Sequence, residues 1–241
     1  MIEPDEDAAP TRTVADQTYG LLRQDIVSGA LKPGQKLGME MLTSRYDVGM
    51  SPVREALVRL TGEALVRAEG QRGFWVSTIS LDELDDTMKT RRLIETEALA
   101  LSIERGDRVW EEGVQTAFER LSVAEAALTG KPDQSFANWD RANKRFHDAL
   151  VSACGSPWLI RLRSLLHQHS ERYQAISLSS GQVGRDVHDE HDAIASAAIE
   201  RKTLKACRLT EVHIDRTAEM VREALKRKAA LEVVEPVRRR R

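Results

Sequence analysis

Three histidines are placed where they could do chemistry together. By helical phase His147 shares a face with Trp139, Asn143, Leu150 and Cys154, His191 shares one with Val187, Ile194 and Ala198, and His213 one with Ala206, Leu209 and Met220. Each therefore sits on the inward stripe of a separate helix. A buried imidazole needs a partner, and converging on one divalent ion such as Zn²⁺, Ni²⁺ or Mn²⁺ satisfies all three at once. Taken singly, each is more commonly a hydrogen-bonded core residue. Asn143 and His147 are one turn apart at i and i+4, so both point inward. His169 falls on the stripe of Leu162, Leu166, Tyr173 and Ile176 and is expected to line the same interior, whereas His167 is not. His188, one turn from His191, reads as a surface residue, with a spare ligand as the alternative.

Two sets of cations add to this. Arg91 lies between Thr87, Ile94, Ala98 and Leu101, on what should be a buried helix face, and such a cation requires an anion. Glu95, one turn on, is one available partner; a ligand carboxylate held in a bidentate fork is the other. Arg172, beside His169 and Tyr173, is a candidate of the same kind. Near the N-terminus a short helix carries Val53, Ala56, Leu57 and Leu60 inward and Ser51, Arg54, Glu55 and Arg59 outward. A guanidinium can bond O6 and N7 of guanine together, which makes Arg54 the leading base-reading candidate, and Ser51 suits a base or a phosphate. Arg72 is placed to reach a minor groove or flanking phosphates. Arg45, Met50, Val53 and Gly73 complete the set expected to meet DNA. The plainer reading of Arg54 and Glu55 is a pair of solvated charges.

The elements that must position these residues follow from local signals. A helix from about residue 13 ends at Gly29, and Leu31-Lys32-Pro33-Gly34 is a turn in which Pro fixes φ and Gly accepts a positive φ. A second helix covers Met39–Tyr46, Asp47-Val48-Gly49-Met50 forms a turn, and a third helix opens at Ser51 as its cap with Pro52 in the first turn. That succession is a helix-turn-helix. Leu65-Val66-Arg67-Ala68 and Phe74-Trp75-Val76-Ser77 read as two short strands around the tip Glu69-Gly70-Gln71-Arg72-Gly73, a wing. Residues 81–228 change to amphipathic stretches broken near Gly106, Gly130-Lys131-Pro132, Gly155-Ser156-Pro157, Gly181 and Lys202, with no recurring strand signal. The fold class is therefore mainly α: an N-terminal winged helix-turn-helix over 13–78, a linker at 78–80, and an antiparallel bundle of six or seven helices over 81–228. An acidic arm over 1–12 and a basic tail over 229–241 flank them.

Bulk composition excludes several classes. The 241 residues are 41% hydrophobic, 31% charged and 5% aromatic, a profile of helix-rich proteins that fold in water. No apolar run approaches the ~20 residues of a membrane span, and the acidic start has no signal-peptide character, so a cytoplasmic location is expected. Cys154 and Cys207 stand apart with no paired spacing, which points to neither a disulfide framework nor a thiolate metal site. A net charge of −2 places any DNA contact on a local basic face.

The stretches Leu31-Lys32-Pro33-Gly34, Ser51-Pro52-Val53-Arg54-Glu55-Ala56-Leu57 and Gly70-Gln71-Arg72-Gly73-Phe74-Trp75-Val76 together resemble the winged helix-turn-helix of GntR-type regulators. The second half is similar to the metal-binding FCD branch of the family's ligand-sensing domain, in which an Asp or Asn precedes a Phe-His pair on one helix and two further helices each give one His. Asn143-Lys144-Arg145-Phe146-His147, Glu190-His191-Asp192 and Val212-His213 fill those places, and Arg91 matches an arginine common there. The resemblance implies a homodimer on palindromic operator DNA, a metal held by Asn143, His147, His191 and His213, and a small carboxylate effector that touches Arg91, His169, Arg172 and Tyr173. It implies a repressor released by its ligand, and no enzyme. A metal-dependent enzyme acting on small acids, and a regulator with a purely structural metal, are the alternatives.

Two departures shape the expectation. Most of the family has Ser-Arg-Thr before the Pro, where this chain has Gly49-Met50-Ser51, so Met50 replaces an arginine that often reads DNA and base preference should differ. The Gly-Met-Ser-Pro variant is similar to that of the carbon-starvation-induced regulators of the family, which respond to a dicarboxylate. The neutral Asn143 in place of a carboxylate predicts weaker metal binding, or coordination completed by an anionic effector.

Overall fold

The structure is a computed structural model that describes residues 13–128, 134–179 and 187–234. The acidic arm (1–12), part of the basic tail (235–241), and the breaks expected at 130–132 and 181 lie outside the described residues. The chain divides into two compact units, one of the residues up to Ser80 together with Glu171–Ala175, the other of Leu81–Ser170 and the residues from Ile176 on.

The first unit is three helices and a small sheet. α1 (Val14–Val27) opens on a capping box: the Thr13 hydroxyl accepts from the Asp16 amide at 3.1 Å, and the Asp16 carboxylate accepts from the Thr13 amide at 3.3 Å. β1 (Lys36–Leu37) follows the Pro33-Gly34 turn, where Gly34 has φ +76° and the Gln35 amide donates to the Lys32 carbonyl. α2 (Met39–Tyr46) ends on Asp47 in the left-handed region. α3 (Met50–Gly62) packs Val53, Ala56, Leu57 and Leu60, all 0% exposed, onto Leu22, Ile26, Leu31 and Leu42. β2 (Val66–Ala68) and β3 (Phe74–Val76) pair antiparallel in register Val66 with Val76 and Ala68 with Phe74, and β1 adds to the far side of β3 to give the order β1-β3-β2.

Two details differ from expectation. The cap of α3 is Gly49 and not Ser51, and it provides no side-chain acceptor. Pro52 does not fix the helix start, because the first-turn amides have no intrahelical partner and a proline is tolerated anywhere among them. The strand β1 has no periodicity to betray it, being two residues long; the Lys36–Trp75 and Leu37–Phe74 pairings define it.

Among the described residues the second unit consists of six helices: α4 (Leu81–Arg105), α5 (Arg108–Ala126), α6 (Gln134–Val151), α7 (Pro157–Ser179), α8 (His188–Ile199) and α9 (Thr203–Val234). α9 runs past the expected end at residue 228. α4 packs on α9, α5 on α6 and α8, and α8 on α9. Their core gathers Leu99, Val114, Leu121, Phe146, Ile194 and Ala198, and the run of alanines on α8 (Ala195, Ala197, Ala198) lets that helix approach its neighbours closely. Asp107 caps α5 by accepting from the Trp110 amide at 3.0 Å. No described helix is long and apolar enough to cross a membrane.

Candidate functional site

The inward stripe of α3 turns its other face to solvent. Ser51, Arg54 and Glu55 are exposed, and Met50 is 60% exposed at the first helical position. Arg54 has no ion-pair or hydrogen-bond partner among the described residues. Arg59 is also exposed, but it is engaged: its guanidinium pairs with Asp16 at 2.7 Å and lies over the Tyr19 ring at 4.1 Å. Arg45 is held likewise by Asp25, at 2.7 Å, and Asp25 also accepts from the Tyr46 hydroxyl at 2.7 Å. Both arginines thus tie α1 to the helix-turn-helix. Val53 is fully buried, so its side chain belongs to the core and is out of reach of DNA. At the wing tip Arg72 is exposed and unpaired among the described residues, and Gly73 takes φ +110°, ψ −147°, a conformation open to glycine.

In the helical unit α6, α8 and α9 bring the three histidines together. Their ring centroids are 5.3 Å (His147–His191), 5.3 Å (His147–His213) and 4.8 Å (His191–His213) apart, and one nitrogen from each lies within 4.8 Å of the others. Carboxylates set the orientation of two of them. Glu125 on α5 takes His191 Nδ1 at 2.8 Å, and Glu190 on α8 takes His213 Nδ1 at 2.9 Å. His191 Nε2, directed away from Glu125, is buried without a hydrogen-bond partner, as is Oδ1 of Asn143 one turn before His147. Burial holds the His147 imidazole well below the usual histidine range, and the neighbouring His213 and His191 rings and the guanidiniums of Arg163 and Arg91 push the same way. It is therefore neutral near pH 7, the form that offers a lone pair to a metal.

This donor set fits a divalent ion: three imidazoles, an amide oxygen one turn away, two orphaned buried acceptors, and histidine nitrogens fixed from behind.

Beside the histidines is a buried charge cluster. Arg91 Nε pairs with Glu95 at 3.2 Å, and Arg163 on α7 takes the other oxygen of Glu95 at 2.6 Å. Arg91 also meets the Ser170 hydroxyl and His167 Nδ1, both at 3.4 Å. Arg163 reaches on to Asp148, whose side chain is half exposed. Arg91 thus pairs with Glu95, one of the two partners expected for it, and both α7 histidines are buried: His167 faces Arg91, a placement that helical phase did not suggest, while His169 Nε2 meets Glu83 at 3.2 Å. Tyr173 is fully buried on α7, and the Arg172 side chain lies outside the described residues. Sequence reasoning missed Arg163, Glu125 and Glu190. Arg163, His167 and Ser170 follow one another at i, i+4 and i+7, a polar stripe that phase could have found.

A helix-turn-helix with a wing on one unit and a helical unit with a buried polar centre define a ligand-responsive regulator of transcription. The chain belongs to the GntR family of bacterial regulatory proteins: the profile "Bacterial regulatory proteins, gntR family" matches residues 14–76, and that of the FCD domain matches 86–216. The chain is 39% identical to the uncharacterized HTH-type transcriptional regulator BphR of Paraburkholderia xenovorans, over 89% of this chain and 88% of that one. It is 34% identical to the HTH-type transcriptional repressor GlaR of Escherichia coli, over 86% of this chain and 95% of that one. Among solved structures, a GntR family member from Pseudomonas syringae aligns with a TM-score of 0.55 and 26% identity, covering 93% of this chain and 91% of that one. Escherichia coli McbR/YncC shares the fold at a TM-score of 0.69 with 19% identity, over 88% and 98%. These relatives are regulators, and the chain is not read as an enzyme.

Proposed function

We propose that the protein is a homodimeric repressor that leaves its operator when a small carboxylate binds beside a divalent metal in the helical unit. The charge arrangement next to the histidines carries this reading: two buried guanidiniums, Arg91 and Arg163, share one buried carboxylate, Glu95. Asp148, the fourth member, balances the second guanidinium but is half exposed, so a ligand carboxylate entering there would take its place on Arg163. The name of GlaR, a repressor, supports the direction of control.

Arg54 and Ser51 on α3 read base edges or phosphates, and Arg72 supports the complex from the wing. In the helical unit Asn143, His147, His191 and His213 would hold the metal. When bound, the ion supplies open positions for a carboxylate oxygen. Arg91 orients the ligand, assisted by His167 and Ser170. The ligand acts through its differential affinity for two arrangements of the dimer, one of which fits the operator.

A thermal-shift screen of short mono-, di- and hydroxycarboxylic acids tests this, with and without Zn²⁺. A ligand at about 100 times its Kd adds roughly 2.7 kcal/mol to the folded state, so a clear rise in melting temperature is expected for one acid class and only with metal. Equal shifts with and without metal would oppose the reading.

A further inference from the structure

Each carboxylate behind the histidine cluster is shared in the same way. Glu125 gives one oxygen to His191 Nδ1 and the other to His188 Nδ1, both at 2.8 Å. Glu190 gives one oxygen to His213 Nδ1 at 2.9 Å and the other to Arg216 at 2.7 Å. On the inner side of each pair is a candidate metal ligand. On the outer side is a group that reaches solvent: His188 is 45% and Arg216 59% exposed, against 9% for Glu125 and 15% for Glu190. His188 is further steadied by stacking on Phe118, with ring centroids 5.6 Å apart and planes 26° from parallel.

We infer that Glu125 and Glu190 are positioning residues for the metal, and that they provide the negative charge that the neutral Asn143 does not. The inference rests on the metal reading above. A bond from Nδ1–H to a carboxylate fixes the tautomer, turns Nε2 toward the centre and raises the basicity of the ligand nitrogen. Three imidazoles and an amide leave the two charges of a divalent ion uncompensated within its own ligand shell. Glu125 and Glu190 stand one imidazole away from it on two sides, and together they carry two negative charges. His188 and Arg216 fix the outer oxygens, so neither carboxylate can swing in to become a ligand without giving up an ion pair.

The test is Zn²⁺ affinity of the full chain, measured by competition with a chromophoric chelator, for wild type, Glu125→Gln, Glu190→Gln and the double variant. Glutamine keeps an acceptor for Nδ1–H and removes the charge. Each single variant is expected to weaken binding about 10-fold or more, within the range of roughly 10–100-fold for such partners, with metal-free melting temperatures close to wild type. Conservative Glu190→Asp is expected to recover part of the loss. Wild type that binds Zn²⁺ together with folded variants that bind it equally well overturns the inference and leaves the metal reading in place. Wild type that binds no Zn²⁺ overturns both. Should one glutamine variant fail to fold, the other decides alone, since the two carboxylates sit on different helices.

Discussion

Arg54 and Arg59 are both exposed on α3, yet the structure separates them. Among the described residues Arg54 is exposed and unpaired, so its guanidinium could meet a base without breaking any contact, whereas Arg59 would first have to leave Asp16 and the Tyr19 ring. Arg54→Ala is therefore expected to erase discrimination between operator and scrambled DNA, a loss of about 1–3 kcal/mol for each bidentate base contact removed. Arg59→Ala should act mainly through the stability of the first unit. Fluorescence anisotropy on both DNAs checks this, and an Arg54→Ala variant that retains the wild-type preference would refute the role. Met50, 60% exposed at the start of the same helix, brings a flexible apolar side chain to that face.

At the scale of elements, the joints are more constrained than the helices. Gly106 ends α4 just before the Asp107 cap of α5, and a Cβ there would collide with the Trp110 ring and approach the Ser102 carbonyl to 2.7 Å. Trp110 is itself fixed, packed in the core with its indole N–H on the Ala149 carbonyl at 3.1 Å. Gly106→Ala is expected to destabilise the helical unit by about 1–3 kcal/mol, seen as a lower melting temperature, with operator recognition by the first unit unchanged where the protein is folded. What sequence made legible follows the same division. Helical phase is local, so it placed the α3 stripe and all three histidines on the correct faces. Glu125 and Arg163 could not be read this way, because α5 and α7 present them to His191 and Glu95 across 66 and 68 residues of chain. Likewise β1 exists only because β3 passes beside it. The burial of His167 has a similar cause: His167 and His169, two residues apart, face different neighbours, and only the packing says that Arg91 is beside the first and Glu83 beside the second.

At the scale of the whole molecule, a winged helix-turn-helix unit and an FCD unit share one GntR-family chain. Coupling between them is a free-energy difference, and it requires the carboxylate to prefer the arrangement that fits the operator less well. In the proposed mechanism the histidine cluster is central to that coupling, since three helices, α6, α8 and α9, each bring one of its rings there. The most direct measurement is the operator affinity of the Zn²⁺-loaded chain with and without a saturating small carboxylate identified by thermal shift, for wild type and His147→Ala. The account predicts that the acid weakens wild-type binding about tenfold or more, a coupling of ordinary size, while His147→Ala keeps its operator affinity and loses the response. An acid that binds the metal-loaded protein without changing operator affinity, or a His147→Ala variant that responds as wild type does, would contradict it.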